Sequence, residues 1–147
     1  AAHQRGAVAY GGGLELDGRE YLWQIERPVP GLLALDPDGY AHVLAALAHP
    51  HRWRLLVALV EAPRSAAELQ QVIGSASPGP LYHHLRDLLA LGIVVQRDRH
   101  YTVPARHVVP LLTAIALAID LGARPSSEPP AAPPPSPPKR SRRGAAR

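Results

Sequence analysis

Between Ala7 and Pro28 apolar residues recur at every second position on either side of Asp17-Gly18. Period two marks strands, and Asp-Gly between two alternating runs is a strong signal for a two-residue hairpin turn. A turn there pairs Leu16 with Arg19, Leu14 with Tyr21, Gly12 with Trp23, Tyr10 with Ile25 and Val8 with Arg27. One face then collects Val8, Tyr10, Leu14, Leu16, Tyr21, Trp23 and Ile25. Gly12 lies across from Trp23, where an indole can cover bare backbone. A lone hairpin is marginal in water, so this face must pack on something. The plain reading is a brace on the domain that follows. The sharper reading is a platform for an effector or a protein partner, lined by Tyr21 and Trp23.

Pro28, Pro30 and Pro37 mark a linker, after which the period becomes helical. Asp36 or Asp38 can cap a helix running to about Leu47, with Tyr40, Val43, Leu44 and Leu47 as its stripe. Pro50 opens the next helix at its first turn, with Trp53, Leu56, Val57 and Val60 on one face and Arg52 and Arg54 projecting outward. Ser65-Ala66-Ala67-Glu68 is a capping box that starts a short helix carrying Leu69, Val72 and Ile73, ended by Gly74. Ser77 then caps a second helix with Pro78 at its first position; its stripe is Leu81, His84, Leu85 and Leu88, and Gly92 ends it. Two short helices joined by a tight turn form a helix-turn-helix. The runs IVVQR and HYTV flank Asp98-Arg99, a second hairpin signal and the wing of a winged helix. Residues 104–121 form one helix or two, interrupted at Pro110. That helix is apolar nearly all round, more than its own domain can cover, and a partner subunit is the expected outlet.

The fold class that follows is mostly α with a small β component. It is a winged helix-turn-helix with an N-terminal β-hairpin extension and a C-terminal dimerisation helix. The expected boundaries are 1–36 for the hairpin and linker, 37–122 for the winged-helix domain, and 123–147 for a disordered Pro-rich basic tail. The expected dimer interface is Tyr40, Val43, Leu44 and Leu47 on the first long helix with Leu111, Leu112, Ile115 and Ile119 on the last.

Charge sharpens this. Residues 1–48 hold 3 Arg against 6 acids, residues 49–107 hold 7 Arg against 4 acids, and residues 124–147 hold 6 basic residues against Glu128. Positive charge thus sits on the central segment and the tail, the mild footprint of a polyanion binder. Lys139, Arg140, Arg142 and Arg143 in the tail read either as extra phosphate contacts or as a solubilising end. The 147-residue chain has no Cys, which excludes a disulfide, a thiol nucleophile and a thiolate metal site. It has no Met even at position 1, which points to a chain trimmed from something longer. No secretory signal and no apolar run of about 18 residues is present, so a cytoplasmic protein without a membrane partner is expected.

No catalytic arrangement is visible either, and the triple glycine Gly11 to Gly13 lies in a strand with no helix after it, so it is no phosphate loop. The expectation is a binder, not an enzyme, with no cofactor. Tyr82, His83 and Arg86 lie on the outward face of the second short helix, above Ser77, Gly79 and Pro80 at its N-terminus. Helix N-termini favour phosphate, Arg reads guanine, and Tyr and His bond phosphate or base edges. Arg97 and Arg99 in the wing, and Arg52 and Arg54 on the helix before, complete the expected contact set for double-stranded DNA. His84 on the apolar stripe reads as a core histidine. His49 and His51 flank Pro50 and lack a third ligand, so no metal site is expected.

The segments HPHRWRLLVALVEAPRSAAELQQVIG and PLYHHLRDLLALGIVV resemble the ArsR-type winged-helix repressors. Those carry a His/Pro-x-Arg helix with alternating hydrophobic and Arg positions, then a Ser/Thr-x-x-Glu-Leu helix, then a recognition helix ending in His-Leu-x-x-Leu and a Gly-Leu/Ile-Val turn. The likeness runs from about Tyr40 to Leu121. It implies a homodimer held by the first and last helices, recognition helices in successive major grooves of an operator, and a repressor's role. The chain departs from the metal-sensing members, because it has no cysteine pair and its last helix offers only His107 and Asp120. The alternative is a protein-interaction module on the same scaffold, favoured by a balance of −1 over residues 1–123 (10 Arg against 11 acids).

Overall fold

The computed structural model describes residues 5–123. The Pro-rich tail from residue 124, with Lys139, Arg140, Arg142 and Arg143, lies outside the described residues.

Strand β1 (Ala7–Leu16) pairs with β2 (Arg19–Pro28) in the register that the Asp-Gly turn implies, from Val8 opposite Arg27 to Leu16 opposite Arg19. Asp17 and Gly18 have φ of 50° and 68°, the left-handed pair that matches a hairpin turn to the twist of its strands. Tyr10, Gly12, Leu14, Leu16, Tyr21, Trp23 and Ile25 are half-buried, and the residues between them are exposed. Val8 departs from this face and stays half exposed at 50%. The covered face lies on the last helix, α6 (Ala105–Asp120). A Cβ added at Gly12 would touch Val109 Cγ1 at 3.5 Å, so the bare backbone does approach the helix closely. Leu14, Leu16 and Tyr21 thereby join the main core.

The Pro-marked linker is not featureless. Val29–Leu33 forms the short helix α1, tied back by a bond from the Val29 N–H to Gly6 O at 2.9 Å. Pro30 and Gly31 read as breakers, but proline is tolerated in a first turn, where its missing N–H has no partner to lose. Helix α2 (Pro37–Leu47) is capped by Asp36, whose Oδ1 accepts from the Asp38 N–H at 3.2 Å. Helix α3 (Pro50–Glu61) is capped by a histidine: His49 Nδ1 accepts from the His51 N–H at 3.1 Å.

Strand β3 (Arg64–Ser65) leads into α4 (Ala66–Val72), where the capping box forms in full. The Ser65 hydroxyl accepts from the Glu68 N–H, and Glu68 accepts from the Ser65 N–H and hydroxyl at 2.7 Å each. These bonds hold the Glu68 carboxyl below its usual range, the hydroxyl contributing most. Helix α5 (Pro78–Ala90) begins at Ser77, but without the expected side-chain cap. The preceding turn is braced instead: Ser75 Oγ donates to Ser77 O at 2.7 Å and Gln70 Nε2 donates to Ser75 O at 3.0 Å. Gly74 and Gly92 end the two helices at φ of 64° and 67°. In each case the glycine N–H and the next N–H close back onto the last turn, the bonding of a Schellman cap.

Strands β4 (Val95–Arg97) and β5 (His100–Thr102) form the wing, and β5 also pairs with β3, giving the sheet order β3-β5-β4. Asp98 and Arg99 both have positive φ, at 47° and 64°. The core is built from Leu55, Leu56 and Leu59 of α3, Leu69 of α4, Leu81, Leu85 and Leu88 of α5, Val94, Tyr101 and Val103 of the wing, and Val108 and Leu111 of α6. Burying each such leucine contributes roughly 1.5–3 kcal/mol.

Helix α6 runs unbroken through Pro110. The proline removes one bond, to Arg106, but its neighbours Val108, Val109 and Leu111 are buried on both sides of it. The protomer itself thus covers part of the apolar surface expected to seek a partner. The first half of α6 fills the core and seats the hairpin. Leu111 is 6% exposed and lies inside the protomer, while Leu112 and Leu47 of α2 are half-buried against the core.

Two glycines in β1 separate tight from loose packing. A Cβ at Gly11 would sit 2.6 Å from Trp23 O, whereas one at Gly13 meets nothing nearer than Leu22 Cδ1 at 3.6 Å. Gly11→Ala should therefore cost about 1–3 kcal/mol. Gly13→Ala should be neutral or add roughly 0.5 kcal/mol through the unfolded chain. Urea midpoints of the two variants check this, and equal midpoints would contradict the close approach.

Candidate nucleic-acid interface

Helix α5 presents two chemically distinct faces. Leu81, Leu85 and Leu88 are fully buried against α3 and α4. Residues on the opposite side of the helix then point away from the protein. Tyr82 is 52% exposed, and His83 and Arg86 are exposed beside it. Ser77, Gly79 and Pro80 are exposed at the N-terminal end, where the Gly79 N–H and the helix dipole favour an anion, although Pro78 and Pro80 carry no N–H. In the wing, Arg97 and Arg99 are exposed on either side of the turn, and His100 Nδ1 lies 3.0 Å from Asp98 O. The buried Tyr101 of β5 lies close enough to Tyr82 to feel its charge; burial first and Tyr82 second push its phenol above the ordinary value.

One expected contact, Arg52, belongs elsewhere. Arg52 turns inward and is 8% exposed. Its Nη1 donates to Ala46 O at 2.7 Å and its Nη2 to Asp87 Oδ2 at 2.6 Å. A cation in the first turn of α3 faces the positive end of that helix. The carbonyl end of α2 and the Asp87 carboxylate offset the repulsion. Arg54 is exposed but lines a groove between α3 and α6 with Trp53, Val57, Glu61, Ile115 and Ala118. It shares no surface with Tyr82, His83 and Arg86 there.

Nothing in the pattern of residues around it singles out Asp87. Desolvation acts to raise its pKa, but the hydrogen bond from Arg86 and the charge of Arg52 outweigh it and hold the carboxyl below its ordinary value. The spacing alone could have flagged only that an acid stands next to Arg86 on a face otherwise free of acids.

The fold brings His84 to the His49 and His51 pair. His84 of α5 lies with its ring centroid 4.4 Å from that of His49 and 5.4 Å from that of His51, stacked on the latter within 2°. The Nδ1 atoms of His51 and His84 are buried without a hydrogen-bond partner. Among the described residues no group of three His, Asp or Glu has an arrangement that could hold a metal ion. Within this cluster of histidines, the His84 ring is disfavoured as a cation. Burial first, then His49, His51, His83 and Arg52, push the His84 pKa below the ordinary 6.5.

Residues 47–97 match a family model described as a helix-turn-helix domain. This stretch is a winged helix-turn-helix of the kind carried by DNA-binding transcriptional regulators. Among solved structures, the transcriptional repressor BigR from Xylella fastidiosa is similar, with 26% sequence identity, a TM-score of 0.45, and coverage of 60% of this chain and 91% of that one. No curated protein gives a match. No helix of the described residues is long and apolar enough to cross a membrane.

A histidine whose folded pKa is depressed is neutral in the native state and takes a proton more readily when unfolded. Its contribution is therefore complete above pH 6.5 and is lost as pH falls through the lower folded value. His107, pushed down by burial and by Arg106, acts in the same direction. Unfolding free energy should drop between pH 7.5 and 5.5, and His84→Leu should flatten part of that drop. An unchanged slope in the variant, read from urea midpoints against pH, would remove His84 from this account.

Proposed function

We propose that this winged helix-turn-helix regulator binds a specific double-stranded DNA operator as a homodimer, as an ArsR-type repressor acting in the cytoplasm. It is a binder, not an enzyme, and the reading needs no metal or cofactor. The observation that carries it is the two-sidedness of α5. A stripe at zero exposure locks the helix on the core, and Tyr82, His83 and Arg86 stand on its opposite side. In this reading α5 enters the major groove, with Ser77, Gly79 and Pro80 against phosphate and Arg86 on a base edge. Arg97 and Arg99 reach the flanking backbone. Arg52 and Arg54 are left out of the contact set. The hairpin of residues 1–36 acts as a brace on a domain spanning 37–122, since its apolar face is taken up by α6.

The dimer reading rests on what remains uncovered. Tyr40, Val43 and Leu44 of α2 are 47%, 38% and 60% exposed, and Ile115, Leu117 and Ile119 of α6 are 36%, 52% and 53% exposed. Apolar surface of this extent on first and last helices is what an isologous interface requires. A protein-interaction role without DNA stays open for the hairpin, where Leu22 is 86% exposed on the outer face.

Fluorescence anisotropy against promoter fragments tests the first part. Tyr82→Ala with Arg86→Ala should weaken specific binding by about tenfold or more, and Arg99→Ala should lower the slope of affinity against salt by about one. Binding no tighter than to random duplex, unmoved by the double substitution, would leave the interaction-module reading standing instead. For the dimer, sedimentation of the intact chain should give twice the protomer mass. Leu44→Glu with Ile119→Glu should give monomers that bind the operator at least tenfold more weakly, and a wild-type monomer would refute the assembly.

A further inference from the structure

A carboxylate on a face that meets phosphates is out of place. Asp87 is the one acid on α5, directly after Arg86, with its side chain 37% exposed. It is bound on both oxygens. Oδ2 takes Arg52 Nη2 at 2.6 Å, and Oδ1 takes Arg86 Nε at 3.4 Å. Arg52 is fixed in turn, with its side chain 10% exposed and its Nη1 on Ala46 O, in the last turn of α2.

We infer that Asp87 and Arg52 are positioning residues for Arg86, forming a hydrogen-bonded chain that refers the base-reading guanidinium to the end of α2. The inference rests on reading α5 as the helix that enters the groove. Arg86 is 72% exposed, and a long side chain in water loses rotamer freedom when it binds. An anchor at Nε limits that loss beforehand and leaves both Nη groups free for the paired acceptors of a guanine. Asp87 can serve as an anchor only because it cannot itself swing, and Arg52 is what holds it. Arg52 bonds two acceptors at once with a rigid fork, which an ammonium cannot match in geometry. The far end of the chain is Ala46, on the helix whose outer face carries Tyr40, Val43 and Leu44. The seating of α2 in a dimer and the aim of Arg86 are thus joined by three hydrogen bonds.

The experiment uses the full chain, with the DNA that it selects from a random-sequence pool as probe and random duplex as competitor. Charge alone predicts that Asp87→Asn binds every duplex more tightly, because an anion is removed from a surface facing phosphates. The inference requires the opposite for the selected site. The ratio of specific to nonspecific affinity should fall about tenfold, while binding to random duplex holds or rises. In an Arg86→Ala background Asp87→Asn should add nothing to the loss. Asp87→Glu, which keeps both oxygens, should recover most of the ratio. Arg52→Lys should lower the ratio with the salt slope unchanged, and it carries the test if Asp87→Asn does not fold. Thermal unfolding beside each variant identifies loss of structure. The inference is overturned if Asp87→Asn leaves the ratio intact or if its effect adds to that of Arg86→Ala. Should Arg86→Ala itself leave the ratio untouched, the DNA reading of α5 fails and takes this inference with it.

Discussion

The constraint on which everything else depends is the burial of Leu81, Leu85 and Leu88 at zero exposure between α3, α4 and the wing. A helix has a fixed angular pitch, so locking one stripe in the core fixes the direction of every other side chain on it. Tyr82, His83 and Arg86 face outward for this reason and need no interaction of their own to do so. Removing methylenes from that stripe would leave a cavity and also free the helix to rotate, which would scatter the outer face.

Around this stripe the polar interior is organised at one place, the junction of the α3 N-terminus with α5. Arg52, His49, His51 and His84 are all drawn there, and the helix dipole adds further positive potential. Asp87 is the single carboxylate bonded to Arg52 among the described residues. The outcome is a site that tolerates one buried cation because it is hydrogen-bonded on both ends, and resists a second. His84 held below its ordinary pKa and Arg52 kept paired are two consequences of the same electrostatic arrangement. Its location beneath the outward face of α5 ties the stability of the core to the geometry of the proposed reading surface.

The hairpin and α6 show a different balance. The first half of α6 has apolar neighbours on two sides, the core and the β1–β2 face, and this keeps a helix intact through Pro110. The second half only edges the groove beside Trp53 and Val57 of α3, and Ile115, Leu117 and Ile119 stay exposed. One helix thus divides between an internal and an external role at about Leu112.

Local rules decided much of this protein from the sequence alone. The Asp17-Gly18 turn set a ten-pair register because only φ > 0 residues fit such a turn, and the Ser65–Glu68 box, Gly74 and Gly92 placed helix ends because unsatisfied backbone groups must find partners nearby. The stripe on α5 was legible for the same reason, since periodicity is a property of consecutive residues. What only the tertiary structure decided are the meetings between distant residues. Arg52 and Asp87 are 35 positions apart, and His84 finds His49 and His51 across the same gap. Nothing local distinguishes an arginine that will be buried from one that will face DNA, since both stand on the polar side of an amphipathic pattern. The difference is made by whether a carboxylate and a free carbonyl arrive at the right distance, and that is a matter of how helices pack.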